Sequence, residues 1–163
     1  MKDALTDDIF LISYSYNFGI PRFYTKGYAK NQSRALDYDV KMDFAASASS
    51  ATPFIFDPVI RYTFNNKKRD EELLIDGSVI ANNPALYATV YAKNDRGKDN
   101  VRVVSIGFRP TPEKVSKNFT YMTALDWVHR IDEIILDAKV SSHNTLASLI
   151  AEDFHRFDCV TKV

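Results

Sequence analysis

The stretch Leu73-Leu74-Ile75-Asp76-Gly77-Ser78, with Ala81-Asn82-Asn83-Pro84 directly behind it, constrains this chain more than any other. Three apolar residues run as a strand into an Asp-Gly turn, and an Asn-Pro pair then starts a helix. A strand–turn–helix of this kind holds a carboxylate at the rim of an α/β sheet, where functional groups are usually placed. Asn83 is expected to cap the helix. Pro84 fixes its start, and with it the direction from which Asp76 is presented. Gly77 suits its place because a turn beside a reacting centre wants φ freedom and no Cβ in the way.

The rest of the chain supplies the layers around this turn. Ile9 to Tyr16 is aromatic and β-branched and reads as a strand buried on both faces. A turn at Asn17 and Gly19-Ile20-Pro21 leads to a short return strand over Arg22 to Thr25. Lys26 to Asp37 reads as polar and irregular. Val40 to Ala51 reads as a helix capped by Asp39 and stopped by Pro53. Its small residues, with Ser47, Ser49 and Ser50 among them, suit close packing on a neighbouring backbone. Val59 to Phe64 is expected to be a strand, Asn65 to Glu72 a charged loop, and Leu73 to Ile75 the next strand. A helix over Pro84 to Ala92 ends near Gly97, and Val101 to Ile106 reads as another buried strand. Ala124, Trp127, Val128, Ile131, Ile134, Ile135 and Ala138 keep the spacing of an amphipathic helix. A second helical stretch, with Leu146, Leu149, Ile150 and Phe154, is expected to run on toward the C-terminus. Strand and helix alternate from residue 40 onward, so the predicted fold class is α/β, a layered sheet with flanking helices, in one domain over 1–163.

Composition narrows the function classes. The 163 residues are 45% apolar, which is enough for one core. Basic and acidic residues balance at 21 each, so no global field points to nucleic acid. A single cysteine, Cys159, forms no internal disulfide, and the start Met1-Lys2-Asp3-Ala4 has no signal-peptide apolar stretch. Both features suggest a cytoplasmic location. No apolar run approaches the roughly 18 residues of a spanning helix, so membrane contact is expected to be peripheral.

Two blocks, in order, resemble the C-terminal part of the patatin-like phospholipase domain. Ala45-Ala46-Ser47-Ala48-Ser49-Ser50-Ala51-Thr52-Pro53-Phe54-Ile55-Phe56 is similar to the alanine- and serine-rich helix that closes in a Ser-Ala-x-Pro-x-x-Phe turn. Ile75-Asp76-Gly77-Ser78-Val79-Ile80-Ala81-Asn82-Asn83-Pro84 is similar to the family's Asp-Gly-Gly/Ala segment with its Asn-Asn-Pro, Ser78 standing where Gly or Ala is usual. Val103-Val104-Ser105-Ile106-Gly107 resembles the family's next strand. The match spans about residues 9–110, and a helical tail over 120–163 fits the family's shape without a motif. The resemblance implies a patatin-like fold, incomplete at its N-terminus, and a lipid acyl hydrolase working with a Ser-Asp dyad. Asp76 would be the dyad aspartate and proton acceptor, and Gly77 its motif turn. Ser78, Asn82, Asn83 and Pro84 would support them. The dyad chemistry implies no metal or organic cofactor. The implied partners are a lipid substrate or membrane surface, and a second chain or further segment carrying the serine.

That serine is not among these residues. The chain holds no Gly-x-Ser-x-Gly and no glycine-rich oxyanion turn. Acyl transfer needs a nucleophile, a base within reach and donors for the oxyanion. Ser78 neighbours Asp76 in sequence, but adjacent side chains rarely face each other. Ser105 sits in a buried-type strand and reads as structural. His155 and Cys159 share a helix face in this reading, with no third group. His129, His143 and His155 show no metal spacing, and His129 falls off the apolar stripe. Tyr14, Tyr16, Phe18, Phe23 and Tyr24 form an aromatic cluster that suits core packing or an acyl-chain wall. Lys67-Lys68-Arg69 beside Asp70-Glu71-Glu72 reads as a solvated loop. Three readings stay open: a hydrolase completed by a serine elbow from elsewhere, an inactive remnant that binds lipid or protein, and an unrelated α/β binding module.

Overall fold

The computed structural model describes residues 8–25, 36–37, 40–65, 68–94, 96–110 and 123–161. They form a mixed α/β fold with two sheets. Strand β1 (Phe10–Ser15) turns back through residues 16–19 into β2 (Ile20–Thr25). Gly19 has φ +66, the left-handed conformation that a glycine adopts freely. Strand β1 also pairs antiparallel with β5 (Lys68–Asp76), and β5 with β4 (Val59–Asn65). The two-residue β3 (Leu36–Asp37) runs parallel to β2, giving the order β3-β2-β1-β5-β4. The second sheet is β6 (Arg102–Pro110) parallel to β7 (Asp153–Thr161).

Each face of the larger sheet carries its own layer. Helix α1 (Met42–Ser49) lays Ala45 and Ala48 against Tyr24 and Leu74, and these four side chains are fully buried. Phe44 meets Tyr24 edge-on, with ring centres 6.2 Å apart. Alanine at these helix positions lets the backbone come close to the sheet. Ser47 and Ser50 do not share that role, because both face solvent, and Ser50 Oγ donates to the Ala46 carbonyl. On the opposite face Phe10 stacks on Phe23, and both meet tyrosines of α3 (Ala85–Asn94): Tyr91 against Phe10, Tyr87 against Phe23. Of the expected aromatic cluster, Tyr24 is a core residue and Phe23 is half-buried against Phe10 and Tyr87, whereas Tyr16 and Phe18 are exposed at the hairpin turn.

Several boundaries differ from the sequence reading, for physical reasons. Residues 68–72 continue β5 instead of forming a charged loop, and Arg61 and Glu72 stand opposite each other in its pairing with β4. The buried charge there is Glu72, whose Oε1 accepts from Arg22 Nε at 2.6 Å. Arg69 instead lies over the Tyr62 ring, 3.6 Å from its centre. Asp39, the expected cap of α1, lies outside the described residues, as do residues 26–35. Lys41 occupies the N-cap position without a side-chain bond. The two expected C-terminal helices are one, α4 (Ala124–Ile150). Strand β7 comes directly after it, so the helical tail ends at Ile150 and Phe154 is a strand residue. None of the helices among the described residues is long and apolar enough to cross a membrane.

Candidate functional site

Asp76 is the last residue of β5 and half-buried. Its main chain is tied down first, by a hydrogen bond from its N–H to the Ala51 carbonyl at 2.9 Å. That bond joins the strand end to the turn that closes α1. The carboxylate then holds one donor on each oxygen. Thr52 Oγ1 donates to Oδ2 at 2.8 Å, and the Ser78 N–H donates to Oδ1 at 2.9 Å. The two motif blocks, 24 residues apart, therefore meet at this one side chain. Each carboxylate oxygen has two lone pairs, so capacity remains for a further proton donor. Replacing Thr52 with valine removes the donor to Oδ2 and keeps the shape. A loss of about 1.5–3 kcal/mol, the worth of a hydrogen bond to a charged group, is expected in denaturant unfolding.

Gly77 comes next in an ordinary right-handed conformation, φ −68 and ψ −18. The φ freedom expected of it is not used; the absence of a Cβ is. A methyl group there would sit 2.7 Å from the Ile12 carbonyl carbon and nearer still to its oxygen. Backbone of the central strand β1 cannot give way cheaply. Gly77→Ala is therefore expected to lower stability by about 1–3 kcal/mol through overpacking, read as a shift of the unfolding midpoint. Ser78 opens the short α2 (Ser78–Ala81), and its N–H, not a nucleophilic hydroxyl, is what reaches Asp76.

Asn82 and Pro84 are exposed, while Asn83 is buried. Asn83 Oδ1 accepts the Ala85 N–H at 3.0 Å, as an N-cap should, and also Ser105 Oγ at 3.4 Å. Its Nδ2 donates to Asn144 Oδ1 of α4. Ser105 in turn accepts Arg156 Nη1 at 2.6 Å, and Asp158 holds that guanidinium through Nε and Nη2. Ser105 is thus structural, as its strand position suggests. This amide joins α3, α4 and the second sheet, a role that the Asn-Pro pair alone does not announce. Lys139 of α4 likewise reaches the Val79 carbonyl of α2.

The remaining candidates separate. His155 and Cys159 lie on β7, where four residues span about 13 Å, so they form no pair. His155 instead faces Asp153 at 3.2 Å. His143 meets Tyr87 edge-on between α3 and α4. The side chains of Lys67, Lys68 and His129 lie outside the described residues. Ser13, directly across β1 from Asp76, is buried with its Oγ 2.8 Å from the Tyr24 hydroxyl. Sequence reasoning missed Thr52 as the partner of Asp76, although the signal was present in the turn Ala51-Thr52-Pro53 that ends the first block. No protein-family model, no curated protein and no solved structure matches this chain.

Proposed function

We propose that this chain is the aspartate-bearing part of a patatin-like lipid acyl hydrolase, acting on a phospholipid or glycerolipid ester. The supporting observation is the held carboxylate of Asp76, fixed by Thr52 and the Ser78 N–H at the end of a central-sheet strand. In this reading a serine from outside these residues attacks the ester carbonyl, and its proton passes to the Asp76 carboxylate. The alcohol leaves with a proton, and an acyl-serine ester remains. Water, activated by the same carboxylate, releases the fatty acid and restores both groups. Thr52 and Ser78 keep the acceptor aimed throughout.

The test is fluorophosphonate labelling of the native polypeptide or assembly that contains this chain, followed by peptide mapping. A label on a serine within a Gly-x-Ser-x-Gly outside these 163 residues is expected, together with fatty-acid release from phospholipid vesicles. A native assembly that takes no label and releases no fatty acid overturns the hydrolase. A second reading, a silent lipid- or protein-binding module, is favoured by the exposed Phe54, Ile55 and Phe56 next to Thr52. Vesicle or partner binding by an unlabelled assembly would then be the outcome.

A further inference from the structure

A groove of about 410 Å³ lies between the start of α3 and strand β6. Its lining includes Asn83, Ala85 and Thr89 on one side and every residue from Val101 to Ile106 on the other. Side chains of a strand alternate between faces, so one face alone contributes every second residue. A run of consecutive lining residues means that the groove follows the strand's main-chain edge. Among the described residues, β6 pairs only with β7, so this is its free edge. Five steps along a strand cover about 17 Å, the reach of a short strand.

Among the described residues this sheet has only two strands and one covered face. Parallel sheets are found with both faces covered, and two strands alone are marginal. Here α3 and α4 pack on one face. On the other, Val104, Ile106 and Phe108 are 64%, 75% and 59% exposed, with Phe157 of β7 beside them. Unpaired edges bordered by apolar surface are sites of strand addition.

Charge identifies the kind of strand. β6 has an apolar centre between Arg102 and Arg109. The strand already paired with it, β7, places Asp153 opposite Arg102. A second copy of β6 running antiparallel would bring Arg102 toward Arg109, like charge against like. We propose that the free edge of β6 receives an extended polypeptide segment from outside these residues, parallel to β6, with β-branched apolar residues and an acidic residue at its start facing Arg102. This is independent of the role of Asp76.

The probe is the synthetic peptide acetyl-Asp-Val-Thr-Val-Ile-Val-Thr-amide, added to the full chain. Binding is followed by fluorescence anisotropy of a labelled copy and by hydrogen exchange. Saturable binding that protects amides within 102–108 is expected. Methylating alternate backbone nitrogens on the bonding edge should weaken it about tenfold or more, since several main-chain hydrogen bonds vanish. Replacing the peptide's aspartate with lysine should weaken it several-fold, and the Arg102→Glu variant should reverse that preference. Binding that leaves 102–108 unprotected overturns the proposal. So does equal affinity of peptides methylated on either edge. A dimer in sedimentation whose own β6 amides are already protected overturns it in favour of a second copy.

Discussion

On the proposed hydrolase reading, Asp76→Asn in the native assembly that contains this chain is expected to lower kcat/KM by about 10³–10⁴-fold, the usual consequence of disabling the acidic partner of a serine nucleophile. The substitution isolates chemistry from structure. The asparagine carbonyl oxygen can still accept the Ser78 N–H, and its amide can donate to the Thr52 hydroxyl, which turns to accept. Both fastenings survive while the negative charge and the proton-accepting oxygen are lost. Unfolding free energy should therefore change by no more than about 1 kcal/mol. Steady-state hydrolysis and a denaturant titration of the same preparation decide the matter. Retention of activity within tenfold of the parent would remove Asp76 from the chemistry, whatever the hydrogen bonds around it.

The largest stability effect is expected at Arg22. Its side chain is 16% exposed, and Glu72, which it holds at 2.6 Å, is fully buried. The second oxygen of Glu72, Oε2, has no hydrogen-bond partner among the described residues. Arg22→Met keeps the bulk of the stem and removes the cation that donates to Oε1 of the buried Glu72. Breaking a buried pair from one side costs about 3–5 kcal/mol. Unfolding of the variant should show that loss at neutral pH. The double variant Arg22→Met with Glu72→Gln should recover most of it, because the charge that must be compensated is gone. A single variant as stable as the parent would show that Glu72 reaches water or another partner.

Local sequence was most legible where one residue type has one job. The apolar run into Asp76-Gly77 gives the strand end, and Asn83 gives the helix cap, because both are settled by neighbours a few residues away. What failed was whatever long-range pairing decides. Lys68 to Glu72 looks like a solvated charge run. It becomes strand because Glu72 faces inward to Arg22, 50 residues earlier. Phe154-His155-Arg156-Phe157 fits either period over so short a stretch. Its parallel partner β6, 51 residues back, settles it as strand. Thr52 could be seen as part of a turn but not as the donor to Asp76, since that contact joins two elements on different layers. The role of Gly77 was half legible: the missing Cβ matters because Ile12 of β1 runs beneath it, and no local rule shows a neighbouring strand.

Strand β5 is fastened at three places along its length. The Asn17 side chain donates to the Glu71 carbonyl at 2.7 Å and accepts the Leu73 N–H at 3.0 Å. Arg22 holds Glu72, and the Ala51 carbonyl holds the Asp76 N–H. A slip of one residue would turn Glu72 toward the aromatic face and Asp76 away from Thr52. The strand therefore acts as a ruler, and its tolerance to insertions and deletions is uneven. Added or lost residues on the hairpin side of Arg69 leave the measured length intact. Between Glu72 and Asp76 a single inserted codon would misplace the carboxylate by a full side-chain reversal, so length itself is the quantity that selection must hold there.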